Sequence, residues 1–283
     1  TIMNLIKGTA DHIRKYIGSY QTIWHQDYKF IYLKNAKTAG TTIFHNIFRN
    51  ILGGYILQKK INAPEFDLWF QGDYRHQDEM VVDYTAIKKG PPRDKPGLTD
   101  QLVYDSYLFT FIRNPYERLA SAYNHLGKLG PLFHDRHRDM SSFNAFLNSL
   151  NAETCFAAID PSPENQKKYN GYYIHWMPQW PFVYLEDGTK YVNYVGKMET
   201  LNKDFIKICQ QIGIWEKISS TKDWKNYDYK LPIKNDHKYT AGIDKKGVQL
   251  KSWKSMYENT SMIDTATKYL EKDLELFGYS WED

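Results

Sequence analysis

The stretch YLFTFIRNPYERLASAY, residues 107–123, decides the fold class. Its first six residues, 107–112, form a nearly continuous apolar run, as expected of a strand buried in a parallel sheet. A turn from Arg113 to Pro115 leads into residues 116–123, which continue as a helix. Pro115 suits the first turn of a helix, because the N–H that proline lacks would have no partner there. The stretch therefore predicts a strand, a tight turn and a helix.

A second unit of the same kind lies upstream. Residues 28–33, YKFIYL, are rich in β-branched and aromatic side chains and predict a strand. The turn-like segment KNAKTAG, residues 34–40, follows, and residues 41–48 carry apolar side chains at helical intervals. Further elements are predicted as a strand around 191–195, a helix over 201–212 and a C-terminal helix through Leu276. Strands that alternate with helices predict an α/β fold with a central parallel sheet flanked by helices.

The length of 283 residues fits one large α/β domain. We predict a single domain over residues 1–283, made of a helical lead-in over 1–28 and a core over 29–283. Residues 88–100 are rich in Gly, Pro and Lys and predict an exposed loop. Residues 154–180 are rich in Pro and Asn and are too long for a simple connector. We expect this segment to shape a ligand cleft.

Charge and hydropathy exclude several classes of protein. A net charge of +4 is too small to indicate a nucleic-acid partner, but it suits a site that holds a polyanion. No run approaches the roughly 20 apolar residues of a membrane span, so we expect none in this chain. Cys155 and Cys209 form neither a disulfide framework nor a metal site, and one bridge or two free thiols both fit the sequence.

The first candidate site is the turn that contains Lys37 and Gly40. A strand that ends in a Gly-containing turn and enters a helix binds anions readily, because free backbone N–H groups and the helix dipole favour negative charge. Gly40 lets the backbone approach a phosphate, while Thr41 and Thr42 add hydroxyl donors and Lys37 adds a cation. The loop of nucleotide triphosphatases has Gly-Lys-Ser/Thr, whereas this lysine precedes the glycine, so ATP hydrolysis is disfavoured. A solvated Lys37 beside an ordinary helix cap is the alternative.

The second candidate site begins at Arg113, directly after the buried strand of residues 107–112. Ligands gather at the carboxyl ends of strands in open α/β sheets, and a guanidinium can grip a phosphate with two parallel hydrogen bonds. Ser121 lies eight residues further on, about two helical turns, near the same face. A structural Arg113 paired with Glu117 is the alternative. Two strand ends that suit phosphates predict a ligand with two separated phosphates.

These segments resemble motifs of a known family. KTAGTT (37–42) and FIRNPYERLASAY (111–123) are similar to the 5′-phosphosulfate loop and the 3′-phosphate motif of carbohydrate-type sulfotransferases, known as sulfotransferase family 2. The likeness covers about residues 28–280, and it continues in order through HWMPQ (175–179), VGKMETL (195–201), LPIKNDHKY (231–239) and DLELFGY (273–279). The donor of that family is 3′-phosphoadenosine-5′-phosphosulfate (PAPS), and the product is 3′-phosphoadenosine-5′-phosphate (PAP).

The resemblance implies a P-loop-like sulfotransferase fold and a role for each matching residue. It implies that Arg113 and Ser121 hold the 3′-phosphate, and that His175 and Gln179 bind the acceptor. The residues implied to hold the 5′-phosphosulfate are Lys37, Thr38, Ala39, Gly40, Thr41 and Thr42. The residues implied to close over the nucleotide are His237, Lys238 and Tyr239. The resemblance also implies the Golgi lumen if an anchor precedes Thr1 and the cytoplasm otherwise.

Sulfuryl transfer resembles phosphoryl transfer, in which positioning and charge stabilisation supply most of the catalysis. We therefore expect Lys37 to stabilise the charge that develops on the leaving 5′-phosphate. The general base implied by the resemblance is His76, which lies between the two phosphate motifs; Asp78, Glu79 and a structural role for His76 are the alternatives. The other histidine-rich segment, FHDRHRD (133–139), predicts a charged loop, so we expect no metal.

The acceptor is expected to be a hydroxyl group. The resemblance to carbohydrate enzymes favours a sugar hydroxyl, with a small secondary metabolite as the alternative. Two further hypotheses remain: a small-molecule kinase, and a non-enzymatic module that binds PAP or another polyanion without turnover.

Overall fold

The chain is described by a computed structural model that covers residues 2–17, 22–25, 28–40, 42–43, 68–71, 99–127, 139–159, 171–220, 225, 242–243, 249–250 and 252–283. The chain forms two compact units. Unit 1 comprises Thr1–Asn35, Ala39–Ile112 and Pro181–Pro232, and unit 2 comprises Ala36–Thr38, Arg113–Trp180 and Ile233–Asp283. The single domain over residues 1–283 stays a prediction.

The described helices are, in chain order, α1 (Ile2–His12), α2 (Asp100–Asp105), α3 (Pro115–Gly127), α4 (Phe143–Asn148), α5 (Ala152–Ile159), α6 (Leu201–Gln211), α7 (Trp215–Ser219) and α8 (Thr260–Phe277). The described strands are β1 (Thr22–His25), β2 (Phe30–Leu33), β3 (Leu68–Gln71), β4 (Tyr107–Ile112), β5 (Tyr194–Lys197), β6 (Gly242–Ile243) and β7 (Gln249–Leu250). Shorter helical turns are a π-helical one at Ile13–Ile17 and 3₁₀ turns at Gly171–His175, Trp180–Phe182, Met198–Thr200 and Trp253–Met256.

Unit 1 is built on a five-stranded sheet with the order β3-β1-β2-β4-β5. The strands β2, β4 and β5 are parallel, with Leu33 paired to Thr110 and Ile112 paired to Lys197. This parallel sheet with its flanking helices confirms the predicted α/β fold class. The strands β1 and β3 add antiparallel pairing that was not predicted. Strand β1 can lie antiparallel beside β2 because only a short connection separates the two strands.

The sheet and α6 share an apolar core. All four residues of β2 are buried, as are the last five of β4, which explains why both segments read as continuous apolar runs. The Tyr32 ring stacks on Phe109 with 5.0 Å between centroids. The sheet and α6 contribute Phe30, Tyr32, Phe109, Phe111, Leu201, Phe205 and Ile208 to this core. In β5, a Cβ atom on Gly196 would stand 2.3 Å from a ring carbon of Phe111, so glycine is required there.

Unit 2 is centred on α8, which packs against α3 and α4. The side chain of Asn259 accepts a hydrogen bond from Met262 N and caps the start of α8. Gly278, with a φ of 68°, ends the helix in the left-handed conformation that favours glycine. The phenol of Tyr257 donates to the carbonyl of Tyr116 on α3 over 2.8 Å. The buried residues of α8 are Met262, Ala266, Leu270 and Asp273.

Two predicted segments differ from the structure. The helical lead-in over residues 1–28 holds for Ile2–Ile17, but Thr22–His25 is a strand. The predicted loop over 88–100 ends early because the Thr99 side chain caps α2; residues 88–98 lie outside the described part of the chain.

That residues 154–180 shape a ligand cleft stays a prediction, and residues 160–170 of this segment lie outside the described part of the chain. The described part of this segment contains most of α5, the 3₁₀ turn Gly171–His175 and the first residue of the next turn, Trp180. Trp176, Met177 and Gln179 are buried there, so this stretch forms part of the interior of unit 2. Among the described residues, no helix is long and apolar enough to cross a membrane.

Candidate functional site

The turn after β2 carries backbone strain at the predicted lysine. Lys37 has a φ of 69° and Ala39 a φ of 58°, both in the left-handed region that residues other than glycine rarely adopt. Each such residue costs about 1–3 kcal/mol and persists only where the surrounding structure enforces it. Strain of this kind collects at ligand-binding turns, and Lys37 is half-buried there.

The residues on either side of Lys37, up to Asn35 and from Ala39 onward, belong to unit 1 and make hydrogen bonds and packing contacts within it. The Asn35 side chain donates to the carbonyl of Phe111 over 3.1 Å, and the Thr110 hydroxyl donates to the carbonyl of Leu33 over 2.7 Å. A Cβ atom on Gly40 would stand 3.0 Å from two side-chain carbons of Lys34. Gly40 therefore gives Lys34 room to pack, a requirement separate from its predicted contact with phosphate.

The threonines of this segment lie where the turn becomes helical. Ile43 N donates to Ala39 O over 2.9 Å, and Gly40, Thr42 and Ile43 have helical conformation. Thr38 and Thr42 are buried. Thr41 and residues 44–48 of the predicted helix lie outside the described residues. The roles of these threonines stay predictions.

Arg113 and Lys37 meet within unit 2. Nη1 of Arg113 donates to the carbonyl oxygen of Lys37 over 3.3 Å, so the Arg113 side chain contacts the backbone of the predicted lysine. Nη2 donates to Oε1 of Glu117 over 2.7 Å, which is the ion pair that the sequence left as an alternative. Within the described part of the chain, the buried Nε of Arg113 has no hydrogen-bond partner. The guanidinium thus keeps donors that a phosphate could use.

Asn114 caps the start of α3. Its side-chain oxygen accepts hydrogen bonds from Tyr116 N (3.0 Å) and Glu117 N (3.3 Å), while its carbonyl accepts from Arg118 N (2.9 Å). Pro115 has no N–H to offer. Since the first N–H groups of α3 are occupied, an anion at this end has to be bound by side chains. Ser121 lies further along α3 and is buried.

Gln179 is fully buried and contacts the backbone of Arg113. Its Nε2 donates to the carbonyl of Arg113 over 2.8 Å, and its Oε1 accepts from Arg113 N over 3.1 Å. These contacts give Gln179 a structural role at the backbone of Arg113. His175 is also buried, at the end of a 3₁₀ turn. That His175 and Gln179 bind the acceptor stays a prediction.

Arg118 fixes the residue before Lys37. Its buried guanidinium donates to three backbone carbonyls: Ala36 (2.8 Å), Met177 (2.6 Å) and Ile174 (3.4 Å). Burial lowers the pKa of Arg118 to about 10, so the group remains a cation at neutral pH. A positive charge is therefore fixed beside the turn of Lys37.

Asp273 of α8 is the acidic member of the same interior. Its carboxylate accepts hydrogen bonds from Gln179 N (2.8 and 2.9 Å) and from Trp180 N (2.7 Å). Burial raises the pKa of Asp273 to about 6, against the opposing effect of these backbone donors and of Arg118. The side chain therefore ties α8 to the segment that carries Gln179.

Several predicted site residues lie outside the described part of the chain: Thr41, His76, His237, Lys238 and Tyr239. The alternative bases Asp78 and Glu79 and the charged segment 133–138 lie outside it as well. Their roles stay predictions.

Arg118 and Asp273 were not predicted as site residues, and only Asp273 left a signal in the sequence. Asp273 continues the spacing of the buried stripe Met262, Ala266 and Leu270, so a charge falls where an apolar residue is expected. Arg118 left no such signal, because its apolar neighbours Leu119 and Ala120 point in other directions around the helix and arginine is rarely fully buried.

The family model described as "Sulfotransferase family" matches residues 20–280, nearly the whole chain. This match confirms the resemblance to sulfotransferase family 2. No curated protein and no solved structure matches the chain.

Proposed function

Because the chain belongs to the sulfotransferase family, which transfers sulfuryl groups, we propose that its donor is PAPS and its acceptor a hydroxyl group. In this reaction the acceptor oxygen attacks sulfur in line with the leaving group. The bond from sulfur to the 5′-phosphate oxygen breaks, the acceptor proton passes to a base, and PAP is released.

The contact between Arg113 and the Lys37 carbonyl is the observation that best supports this proposal. It joins Arg113 to the backbone of Lys37 within unit 2, so we expect the two cations to be available to one ligand. PAPS carries a phosphate on the 3′ position and a phosphosulfate on the 5′ position. A donor with two separated anionic groups matches two cationic segments held in contact.

Arg113 and Ser121 are proposed to bind the 3′-phosphate. Arg113 uses one donor on Glu117 and one on Lys37, which leaves further N–H groups of its five for phosphate oxygens. Hydrogen bonds between two charged groups are stronger than those between neutral ones. The Glu117 carboxylate orients the guanidinium, yet its charge also opposes an incoming phosphate. We expect Ser121, buried on the same helix, to supply a neutral donor.

Lys37 is proposed to act on the leaving group. As sulfur departs, negative charge grows on the 5′-phosphate oxygen, and a preorganised cation stabilises it without further reorganisation. The left-handed backbone of Lys37, held by Arg118 through Ala36, supports this role because it fixes the turn before the ligand arrives. The remaining residues proposed to hold the 5′-phosphosulfate are Thr38, Ala39, Gly40, Thr41 and Thr42.

His76 is proposed as the general base, and His237, Lys238 and Tyr239 as the residues that close over the nucleotide. These assignments come from the family motifs alone. A sugar hydroxyl is the preferred acceptor, and His175 and Gln179 are proposed to contribute to its binding.

The proposal is tested by transfer of radiolabelled sulfate from PAPS to glycans, phenols and alkyl alcohols. We expect labelled product with at least one acceptor, and a loss of about 10²–10³-fold in transfer for Lys37→Ala. Lys15→Ala is the matched control, since Lys15 is exposed and pairs with Glu186. PAP binding without transfer to any acceptor would favour a non-enzymatic module. Competition by ATP but not by PAP would favour a kinase.

A further inference from the structure

Gln179 contacts Arg113, the residue of unit 2 on which we propose that binding of the 3′-phosphate mainly depends. Its amide pairs with both backbone polar groups of Arg113, in the same way that a neighbouring strand would. Two hydrogen bonds to a single residue fix its peptide planes and therefore the direction of its side chain. The guanidinium of Arg113 is long, so a small rotation at its Cα displaces the charge considerably.

Asp273 fixes Gln179 in turn. Both carboxylate oxygens accept from Gln179 N, and Oδ1 also accepts from Trp180 N. Asp273 is 1% exposed and lies on the buried stripe of α8. A leucine at this position would be buried without the cost of removing a charge from water. A buried charge on an apolar stripe is unfavourable unless its hydrogen bonds are well satisfied. The three hydrogen bonds that Asp273 accepts from Gln179 N and Trp180 N explain why its buried charge is tolerated.

We infer that Gln179 and Asp273 are positioning residues for the donor's 3′-phosphate: Asp273 holds the backbone of Gln179, and the Gln179 amide aims Arg113. This inference rests on the proposed function, and it adds to the proposed acceptor role of Gln179 a role in donor binding. Neither residue touches the reacting atoms. Their contribution is to select a donor that carries a 3′-phosphate over one that does not.

The selectivity of binding distinguishes this role from a purely structural one. AMP has the adenosine and the 5′-phosphate of PAP but lacks the 3′-phosphate. A residue that acts through Arg113 changes the preference for PAP over AMP, whereas general loosening of unit 2 weakens both ligands alike. The measurement is therefore the ratio of the two dissociation constants, with AMP measured by competition against PAP.

Two variants test Gln179. Gln179→Leu removes both hydrogen bonds to Arg113 at similar volume. Gln179→Met also removes both hydrogen bonds without adding a charge, and it serves if the leucine variant does not fold. Tyr257→Phe is the matched control, since it removes one buried hydrogen bond to Tyr116 on α3 without touching Arg113. Folding of each variant is checked by urea denaturation.

We expect wild-type protein to prefer PAP over AMP and each folded Gln179 variant to lose about 10- to 100-fold of that preference. Tyr257→Phe should keep the preference, and Gln179→Leu should have no further effect in an Arg113→Ala background. A Gln179 variant that folds and keeps the preference, or that loses PAP and AMP equally, would overturn the inference alone. A wild-type protein with no preference for PAP would overturn the proposed donor site and the inference together.

Discussion

Arg118 offers a sharp test of how the turn of Lys37 is held. Arg118→Lys keeps the charge, but an ammonium is a compact donor that cannot reach the carbonyls of Ala36 and Met177 at once. The planar guanidinium reaches both, over 2.8 and 2.6 Å, and the Ile174 carbonyl over 3.4 Å. The substitution therefore leaves at least one buried carbonyl without its donor.

The size of the effect follows from these contacts. A hydrogen bond to a charged group contributes about 1.5–3 kcal/mol, and at least one of the two short bonds is lost. We therefore expect Arg118→Lys to lower the free energy of unfolding by about 2–3 kcal/mol. That is a large share of the roughly 5–15 kcal/mol typical of a folded protein.

Urea denaturation measures this change. We expect the midpoint for Arg118→Lys to fall by about 1 M with an unchanged slope, since the surface exposed on unfolding stays the same. Arg14→Lys is the control because Arg14 is exposed and pairs with Asp11 one helical turn away. Such exposed pairs contribute at most about 1 kcal/mol. If Arg118→Lys unfolds at the wild-type midpoint, the three carbonyl contacts do not hold the turn.

Three further predictions concern single residues. Gly196→Ala puts a methyl group against the Phe111 ring and should destabilise the protein by about 1–3 kcal/mol; an unchanged melting temperature would contradict this. The raised pKa of Asp273 contributes stability that is complete below about pH 4 and is lost as the pH rises through about 6. Between pH 4 and pH 7, the wild-type protein should therefore lose about 3 kcal/mol more unfolding free energy than Asp273→Asn does. An equal change in both proteins would mean that Asp273 is not the group that titrates. Glu117→Gln keeps an acceptor for Arg113 but removes a negative charge, so PAP should bind about 3- to 5-fold tighter by calorimetry. Weaker binding would mean that the ion pair serves mainly to orient the guanidinium.

The elements with the strongest patterns were predictable. The strand Tyr107–Ile112 was predicted at its observed bounds, and the helix over 201–212 matches α6 to within one residue. Both elements could be predicted because burial fixes their sequence patterns. A strand covered on both faces must be apolar throughout, and α6 carries an apolar stripe that packs on the sheet. Strand β1 was missed because four residues are too few for a period of two to stand out.

The site was only partly predictable. Lys37, Arg113 and Ser121 could be proposed because phosphate-binding residues follow strand ends and helix faces with fixed spacing. The contacts of Gln179, Arg118 and Asp273 join residues 59 to 94 positions apart in the chain, and nothing local in the sequence encodes such pairs. The hydrogen bonds made by Gln179 depend on where residues 171–180 pack, which only the folded chain determines.

A crystal structure of the protein with PAP tests the central claim most directly. We expect the 3′-phosphate within hydrogen-bond distance of the Arg113 guanidinium and the Ser121 hydroxyl, with the 5′-phosphate beside Nζ of Lys37. PAP bound away from these residues, or bound with its two ends reversed, would contradict it.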